Sequence, residues 1–547
     1  MPIQQTFLGL GGAGDGQWIT YMDNGYQTNS GYTTHGDYNY MSTREARVYN
    51  KHIWAACDLR KIGGSDESRW AIIKMKTDGT LVDTVFMDTT VANGAMQLYG
   101  YTVDHDDNLY VMTGATYGTM RTYLAKYNSS FSLQFKVKLG PDLDTEAYVG
   151  PGCMIYVPST DYSGGGSMGH SILAALADGW CFIGASNGTP GNYVETNWDP
   201  GLRISGYYAA NPVHVGAGVI YNTIPHRKTS SSSKLRMTLI QMDKGDRSLD
   251  RISPDGIDDY AKSPDGTNLE SETISDRCND YKLIGGKKYI YHIDKTEKAN
   301  NQEKTFLVWR YNLTDDATTM YGGVAHNTST NSTAGGGCIK ADDDGTLWGV
   351  LQYSGDSAFE RATSSNGKWA YECWIVQWDV NGAIQKNWRV RFDEAAFPEN
   401  WETERTHNLS PVGIDMCPDG DLFVCFDVKG SQAWWHSNYT GTQSAFEHGS
   451  GRDFHIFMKI KKDGTNLGTH GWVSLVDTGI PNSPSTHPSV STLDDGPGYS
   501  NTSGAFANSM QSGNGFAVQS SNNTQDSHSN TAYDSDYSHW SAVKTEL

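Results

Sequence analysis

Residues 106–140 read DDNLYVMTGATYGTMRTYLAKYNSSFSLQFKVKLG. LYVMTG (109–114) is a short apolar run bounded by an acidic turn composition on one side and a Gly/Thr-rich stretch on the other, which is the signature of a strand. TYLAKY (122–127) is a second such run, interrupted by the single basic residue Lys126. NSS at 128–130 is turn-forming, and LQFKVKL (133–139) alternates apolar with polar side chains. With MQLYGYTV (96–103) in front, the stretch amounts to four short strands joined by tight connections, a four-stranded antiparallel meander.

Both halves of this unit recur along the chain. The first half, an apolar strand usually preceded by an acidic or glycine turn, is repeated as NKHIWAACD (50–58), DGWCFIGAS (178–186), GKKYIYHID (286–294), DGTLWGVLQ (344–352), DGDLFVCFD (419–427) and GNGFAVQSS (513–521). The second half, an apolar strand broken by one basic or amide residue, places that residue at Lys74, Lys126, Gln241, Arg310, Gln377, Lys459 and Lys544. The two halves alternate strictly, and Asp-Gly or Asn-Gly pairs such as Asp78-Gly79 and Asn381-Gly382 supply the hairpin turns. Seven such units predict an all-β chain folded as a single seven-bladed β-propeller of four-stranded antiparallel blades. The uneven spacing predicts long polar insertions on its rims, near 187–233, 245–277, 428–453 and 476–503. The last unit ends at the C-terminus without a fourth strand. GQWITYMDN (16–24) has the pattern to supply one, so these residues are expected to close the ring by pairing with 540–547, leaving residues 1–15 outside a propeller spanning 16–547.

Composition agrees. Gly accounts for 60 of 547 residues, aromatics for 12% and charged residues for only 19%, which favours many short strands and tight turns over helices or disorder. The net charge of −20 argues against an extended nucleic-acid interface, which needs basic side chains to displace phosphate counterions. No apolar run reaches membrane-spanning length. The eight cysteines include Cys57, Cys181, Cys373 and Cys425 inside strand-like runs and form no zinc-type spacing, so they are expected as buried thiols of a chain folded in a reducing cytoplasm.

The chain opens with MPIQQTFLGLGGAG (1–14), which has no charged residue and too short an apolar core for a secretory signal. The unit at 106–140 resembles the repeats of bacterial and phage propellers. The opening peptide resembles the N-terminal peptide of fibre and other minor structural proteins of marine tailed bacteriophages, which begin Met-Pro-Ile-Gln-Gln and continue through an apolar, glycine-rich patch. That second resemblance implies a docking tag, with Pro2, Ile3, Gln4, Gln5, Phe7 and Leu8 threading into a neighbouring virion protein and the glycines allowing close approach. It further implies a virion component, made in the host cytoplasm and present in several copies, in a fibre, tail-associated or head-decorating position and in contact with the host surface.

The residues offer few chemical motifs. Two G-x-S-x-G matches, 165–169 and 184–188, lack the helix that a nucleophile elbow requires and are expected as loops. The acidic stretches DHDDNL (104–109) and KADDDGTL (340–347) resemble fragments of calcium loops but occupy hairpin positions, where Asp serves turn geometry. His292 and His455 fall in strands and are expected to be structural. AWWHSNY (433–439) lies in an insertion, where Trp434, Trp435 and Tyr439 make a platform suited to sugar rings or a protein partner. Carboxylates such as those in RFDEAAFPENWETE (391–404) show no spacing that selects glycoside hydrolysis over a solvated loop. The expectation is therefore a non-catalytic binding protein with no cofactor and no metal site. The alternatives are a glycoside hydrolase or lyase on the same fold, which convergent acidic or His/Tyr residues at the channel mouth would favour, and a bacterial adhesion protein.

Overall fold

A computed structural model of the protein describes residues 16–23, 32–34, 46–61, 68–87, 90–91, 94–115, 122–140, 151–158, 170–176, 179–188, 190–195, 212–216, 219–227, 235–243, 249–252, 269–271, 278–298, 304–315, 317–321, 333–354, 371–392, 408–429, 454–465, 467–470, 473–477, 511–512, 517–520 and 541–546. The strands among them form antiparallel sheets arranged as a β-propeller. Six blades are counted, one fewer than the repeat predicts.

The strand ladders give that shortfall a physical place. Full four-stranded units lie at 46–87, 94–140, 151–195, 278–321 and 333–392, and a sixth is formed by Asn408–Met416, Leu422–Lys429 and Phe454–Ile460 with Trp18–Asp23. The remaining unit, at 213–252, begins with the two-residue strand Val213–His214 and ends with the four-residue strand Leu249–Ile252. The first strands of neighbouring units touch one another around the ring, which makes them the innermost strands.

Two of the expected units are drawn differently in the structure. The stretch 171–242, read from sequence as one blade interrupted by the insertion near 187–233, separates into the units at 151–195 and 213–252. The described strands of 504–547 do not form a blade of their own. Gln511–Ser512 pairs with Pro190–Glu195, Ala517–Ser520 with Leu133–Gly140, and Ser541–Glu546 with Trp18–Asp23, so these strands are distributed over the outer edges of three units. Apolar alternation specifies a strand without specifying its partner, and an open outer edge accepts any strand of the right length. Val473–Asp477 is displaced for the same reason. It pairs with Ile384–Phe392 of the preceding unit, because the place beside Phe454–Ile460 is filled by Trp18–Asp23.

Apolar layers fill the spaces between successive blades. Trp18, Ala46, Ile53, Ile73 and Met75 pack on Val412, Phe423, Cys425 and Phe457, and Trp54, Ala56 and Ile72 pack on Leu98, Tyr101 and Leu109. At the first of these seams the backbones nearly touch: a β-carbon on Gly413 would stand 2.0 Å from the carbonyl oxygen of Ala46.

The two ends of the blades differ. At one end, the turn face, strands are joined by short turns such as 77–80, 104–108, 342–346, 379–383 and 417–421. Their Asp side chains cap the backbone: Asp78 Oδ1 accepts from Thr80 N at 2.9 Å, and Asp379 Oδ1 accepts from Asn381 N at 2.8 Å and Ala383 N at 3.0 Å. At the other end, the loop face, the strand ends Ser354 and Tyr371 pair with each other, as do Val428 and Phe454, on either side of the connections 355–370 and 430–453.

Candidate functional site

The turn face carries a cluster of two imidazoles and a phenol. His105 sits in the turn after the innermost strand Gly94–Val103, Tyr156 near the end of the innermost strand of the next unit, Pro151–Val157, and His170 just before Ser171–Leu176. The Tyr156 hydroxyl lies 2.9 Å from His105 Nδ1 and is also hydrogen-bonded to His170 Nδ1. The Tyr156 and His170 rings stack with centroids 5.7 Å apart, and the His105 and His170 rings are 5.1 Å apart. A hydroxyl has one proton, so it donates to one imidazole and accepts from the other. The two rings are thereby held as opposite partners, one with Nδ1–H and one with an Nδ1 lone pair.

The surroundings hold the phenol protonated. Burial, and then the charges of Asp104 and Asp106, push Tyr156 well above the ordinary tyrosine range. Asp106 Oδ2 is 3.4 Å from His105 Nε2, so a carboxylate, an imidazole, a phenol and a second imidazole follow one another across the seam between two blades. His105 is 58% exposed, which leaves the chain open to solvent. Beneath it, the Tyr110 ring stacks on that of Tyr156 at 6.5 Å, and the Tyr110 hydroxyl lies 3.0 Å from Asp104 Oδ2 and 2.8 Å from the Ala185 carbonyl. Lys126 Nζ donates to the same carbonyl at 2.9 Å.

That lysine is one of the basic residues that mark the repeat. Lys74 does the same work one seam earlier, donating to Asp107 Oδ2 at 2.9 Å. Lys126 and Lys74 thus reach from the third strand of one blade to a turn of the next. Lys459 instead pairs with Asp419 and Asp421 of its own blade.

A second constellation lies on the innermost strands. Seven innermost-strand residues share one register position, each opposite a second-strand residue: Arg47 opposite Trp54, Thr102 opposite Tyr110, Tyr156 opposite Ile172, His214 opposite Ile220, Asp280 opposite Tyr291, Lys340 opposite Trp348 and Asp415 opposite Phe423. Lys340 Nζ lies 3.1 Å from Asp415 and 3.6 Å from Asp280, and although burial opposes its charge, the two carboxylates hold its amine above the ordinary lysine range. Asp280 also accepts from Ala341 N at 2.7 Å and Asp415 from Val48 N at 2.9 Å, tying each innermost strand to the next. Arg47 reaches Cys278 Sγ at 3.8 Å. The signal for this ring was in the sequence, as one polar or charged residue inside short apolar runs such as CIKA (338–341) and GIDM (413–416).

The residues singled out from sequence fare differently. Pro2, Ile3, Gln4, Gln5, Phe7 and Leu8 lie outside the described residues, as do Trp434, Trp435 and Tyr439 and the match at 165–169. The match at 184–188 is a turn between Gly179–Gly184 and the strand Pro190–Glu195, with Ser186 exposed, so no elbow is built. In 104–109, Asp104 accepts from Asp106 N and Asn108 N, both at 2.9 Å, while Asp107 binds Lys74. In 340–347, Asp342 pairs with Lys462, Asp343 with Lys282, and Asp344 accepts from Thr346 N at 2.9 Å. Among the described residues no three His, Cys, Asp or Glu side chains converge as metal ligands. His292 is buried, with Nδ1 2.7 Å from Asn279 Oδ1. Cys373 and Cys425 are buried thiols.

No family model and no curated protein matches the chain. Among solved structures it is similar to the endosialidase of phage phi92, at 12% identity over 80% of this chain and 69% of that one, with a TM-score of 0.37. It is also similar to the intramolecular trans-sialidase of Ruminococcus gnavus, at 10% identity over 80% and 99% of the two chains with a TM-score of 0.33. An ulvan lyase of polysaccharide lyase family PL25 matches at 10% identity over 60% and 78%, with a TM-score of 0.32.

Proposed function

We propose that this protein is a component of a tailed-phage-type particle, held there through residues 1–15, whose propeller engages a glycan on the host surface. One observation carries the reading: the start of Trp18–Asp23 and the end of Ser541–Glu546 lie together at the turn face, whereas the strand ends that flank 355–370 and 430–453 lie at the loop face. A tether leaving one face and polar, aromatic-bearing segments joined at the other is the arrangement a presented binding domain needs. In this reading the ring holds seven repeats, with 213–252 the least complete. Copies repeated by particle symmetry turn weak sugar contacts into avidity. The test is binding of the full chain to host cells and to a glycan array, compared with a Trp434→Ala/Trp435→Ala variant of equal melting temperature. Loss of binding in the variant supports the reading, and unchanged binding overturns it.

The Asp106–His105–Tyr156–His170 chain favours a second reading, in which the propeller also cleaves a glycan. A phenol kept protonated beside two imidazoles is an acid–base pair of the kind that donates a proton to a leaving oxygen while a base accepts one. Product release from host polysaccharide, abolished in Tyr156→Phe, would support this reading; no release by the full chain would overturn it.

A further inference from the structure

Trp18–Asp23 occupies an unusual position, because strands distant in the chain pair with it on both sides, over Trp18–Met22 on one and Trp18–Asp23 on the other. On one side Trp18 is opposite Lys459 and Met22 opposite His455; on the other, Trp18 is opposite Glu546 and Asp23 opposite Ser541. Other outer-edge additions are slighter: Gln511–Ser512 meets only Asn192 and Tyr193, and Ala517–Ser520 runs only from Gly140 to Val137. The strand is fixed by side chains as well. Trp18, Ile19 and Thr20 are buried, Trp18 Nε1 donates to the Thr77 carbonyl at 3.0 Å in the next blade, and Gln17 Oε1 accepts from Lys461 N at 3.2 Å.

We infer that Trp18–Asp23 is the mechanical anchor of the propeller, completed by the chain's own C-terminal strand, so that both termini share one force-bearing element. Residue 16 stands at the turn-face end of the strand, just before Trp18. A pull from that end directed out of the face shears both ladders together, so the backbone bonds share the force instead of opening one at a time. The same strand faces two seams, since Ile19 packs in the interface between the units at 333–392 and 408–460 and Trp18 in that between the units at 408–460 and 46–87. Force on the N-terminus is therefore delivered to these seams of the ring, and the C-terminal strand decides how much they withstand. The inference rests on the reading of residues 1–15 as a tether for its biological meaning, while the anchor itself is a property of 18–23 and 541–546.

The experiment is amide hydrogen exchange on the full chain and on an Ala542→Pro/Val543→Pro variant; adjacent amides of a strand point to opposite sides, so one of the two prolines removes a donor from the ladder with Trp18–Asp23. The expected result is faster exchange confined to 18–23, with protection of 422–428 and 456–460 kept. Unchanged exchange at 18–23 overturns the inference, and so does a uniform loss across the blades, because the strand would then not be a separable element. Pulling single molecules through the N-terminus is the second readout. The rupture force should fall in the double-proline variant, and an equal force in both chains would contradict a shared ladder. Neither readout depends on whether residues 1–15 bind a particle, so failure of the anchor and failure of the tether reading are distinguishable.

Discussion

The indole of Trp18 lies directly over the α-carbon of Gly79: a β-carbon built there would stand 2.8 Å from Trp18 Cδ2. Gly79 also has φ of +81°, a left-handed conformation. One glycine thus serves the turn after Ser68–Lys76 and the seating of the ring-closing strand. Gly79→Ala is expected to cost about 2–3 kcal/mol, combining left-handed strain with overpacking of the indole. Chemical denaturation of the two chains measures this, and a cost below about 0.5 kcal/mol would mean that Trp18 is not fixed as described.

Gly413 presents a harder limit, because its neighbour is backbone. No rotamer change relieves a β-carbon placed 2.0 Å from the Ala46 carbonyl oxygen, so the innermost strands of two blades must separate. Gly413→Ala is expected to destabilise by about 3 kcal/mol or more, larger than the effect at Gly79. Comparison of the two melting temperatures checks the order.

The Lys74–Asp107 bond across a seam makes stability depend on pH. Burial opposes the Asp107 charge, but hydrogen bonds from Asn50 and Lys74, with the Lys74 charge, hold its carboxyl below the usual range. A depressed carboxylate contributes stability above its unfolded value, near 4, and loses it as pH falls through the folded value. Asp107→Asn should therefore cost about 1–2 kcal/mol at pH 7, with the difference from the parent shrinking below about pH 4. Denaturation curves across that range provide the check; a difference that grows on acidification would contradict the pairing.

Tyr156→Phe keeps the stacked ring and removes the hydroxyl that links two imidazoles. The Nδ1 signals of His105 and His170 should then both shift, since each ring loses its hydrogen-bond partner, with little change in melting temperature, as read by NMR of the imidazole nitrogens. Nδ1 signals identical to those of the parent chain would show that the phenol does not link the two rings.

Much of the architecture was legible because the sequence repeats a local pattern. The Asp-Gly turns, the apolar runs and the interrupting lysines each act within a few residues, and they predicted strands where strands stand. Partner choice was less legible. GNGFAVQSS reads like a blade strand, yet Ala517–Ser520 adds to the outer edge of a distant unit. VHV at 213–215 is too short to announce an innermost strand, so the unit at 213–252 went unrecognised. The His105–Tyr156–His170 cluster was invisible for a related reason: its members are spread over 66 positions and meet only because two blades face each other. The interrupting lysine was read as a repeat marker, and only the structure gives it the role of a latch to a turn.

In the proposed arrangement the propeller is tethered at its turn face and presents its loop face. The most direct measurement is cryo-electron microscopy of particles carrying the full chain and of particles supplied with a chain lacking residues 2–14. The account predicts propeller density with the 417–421 and 77–80 turns toward the particle in the first case and no propeller in the second. A propeller that stays in place without residues 2–14, or that sits with its loop face inward, would contradict it.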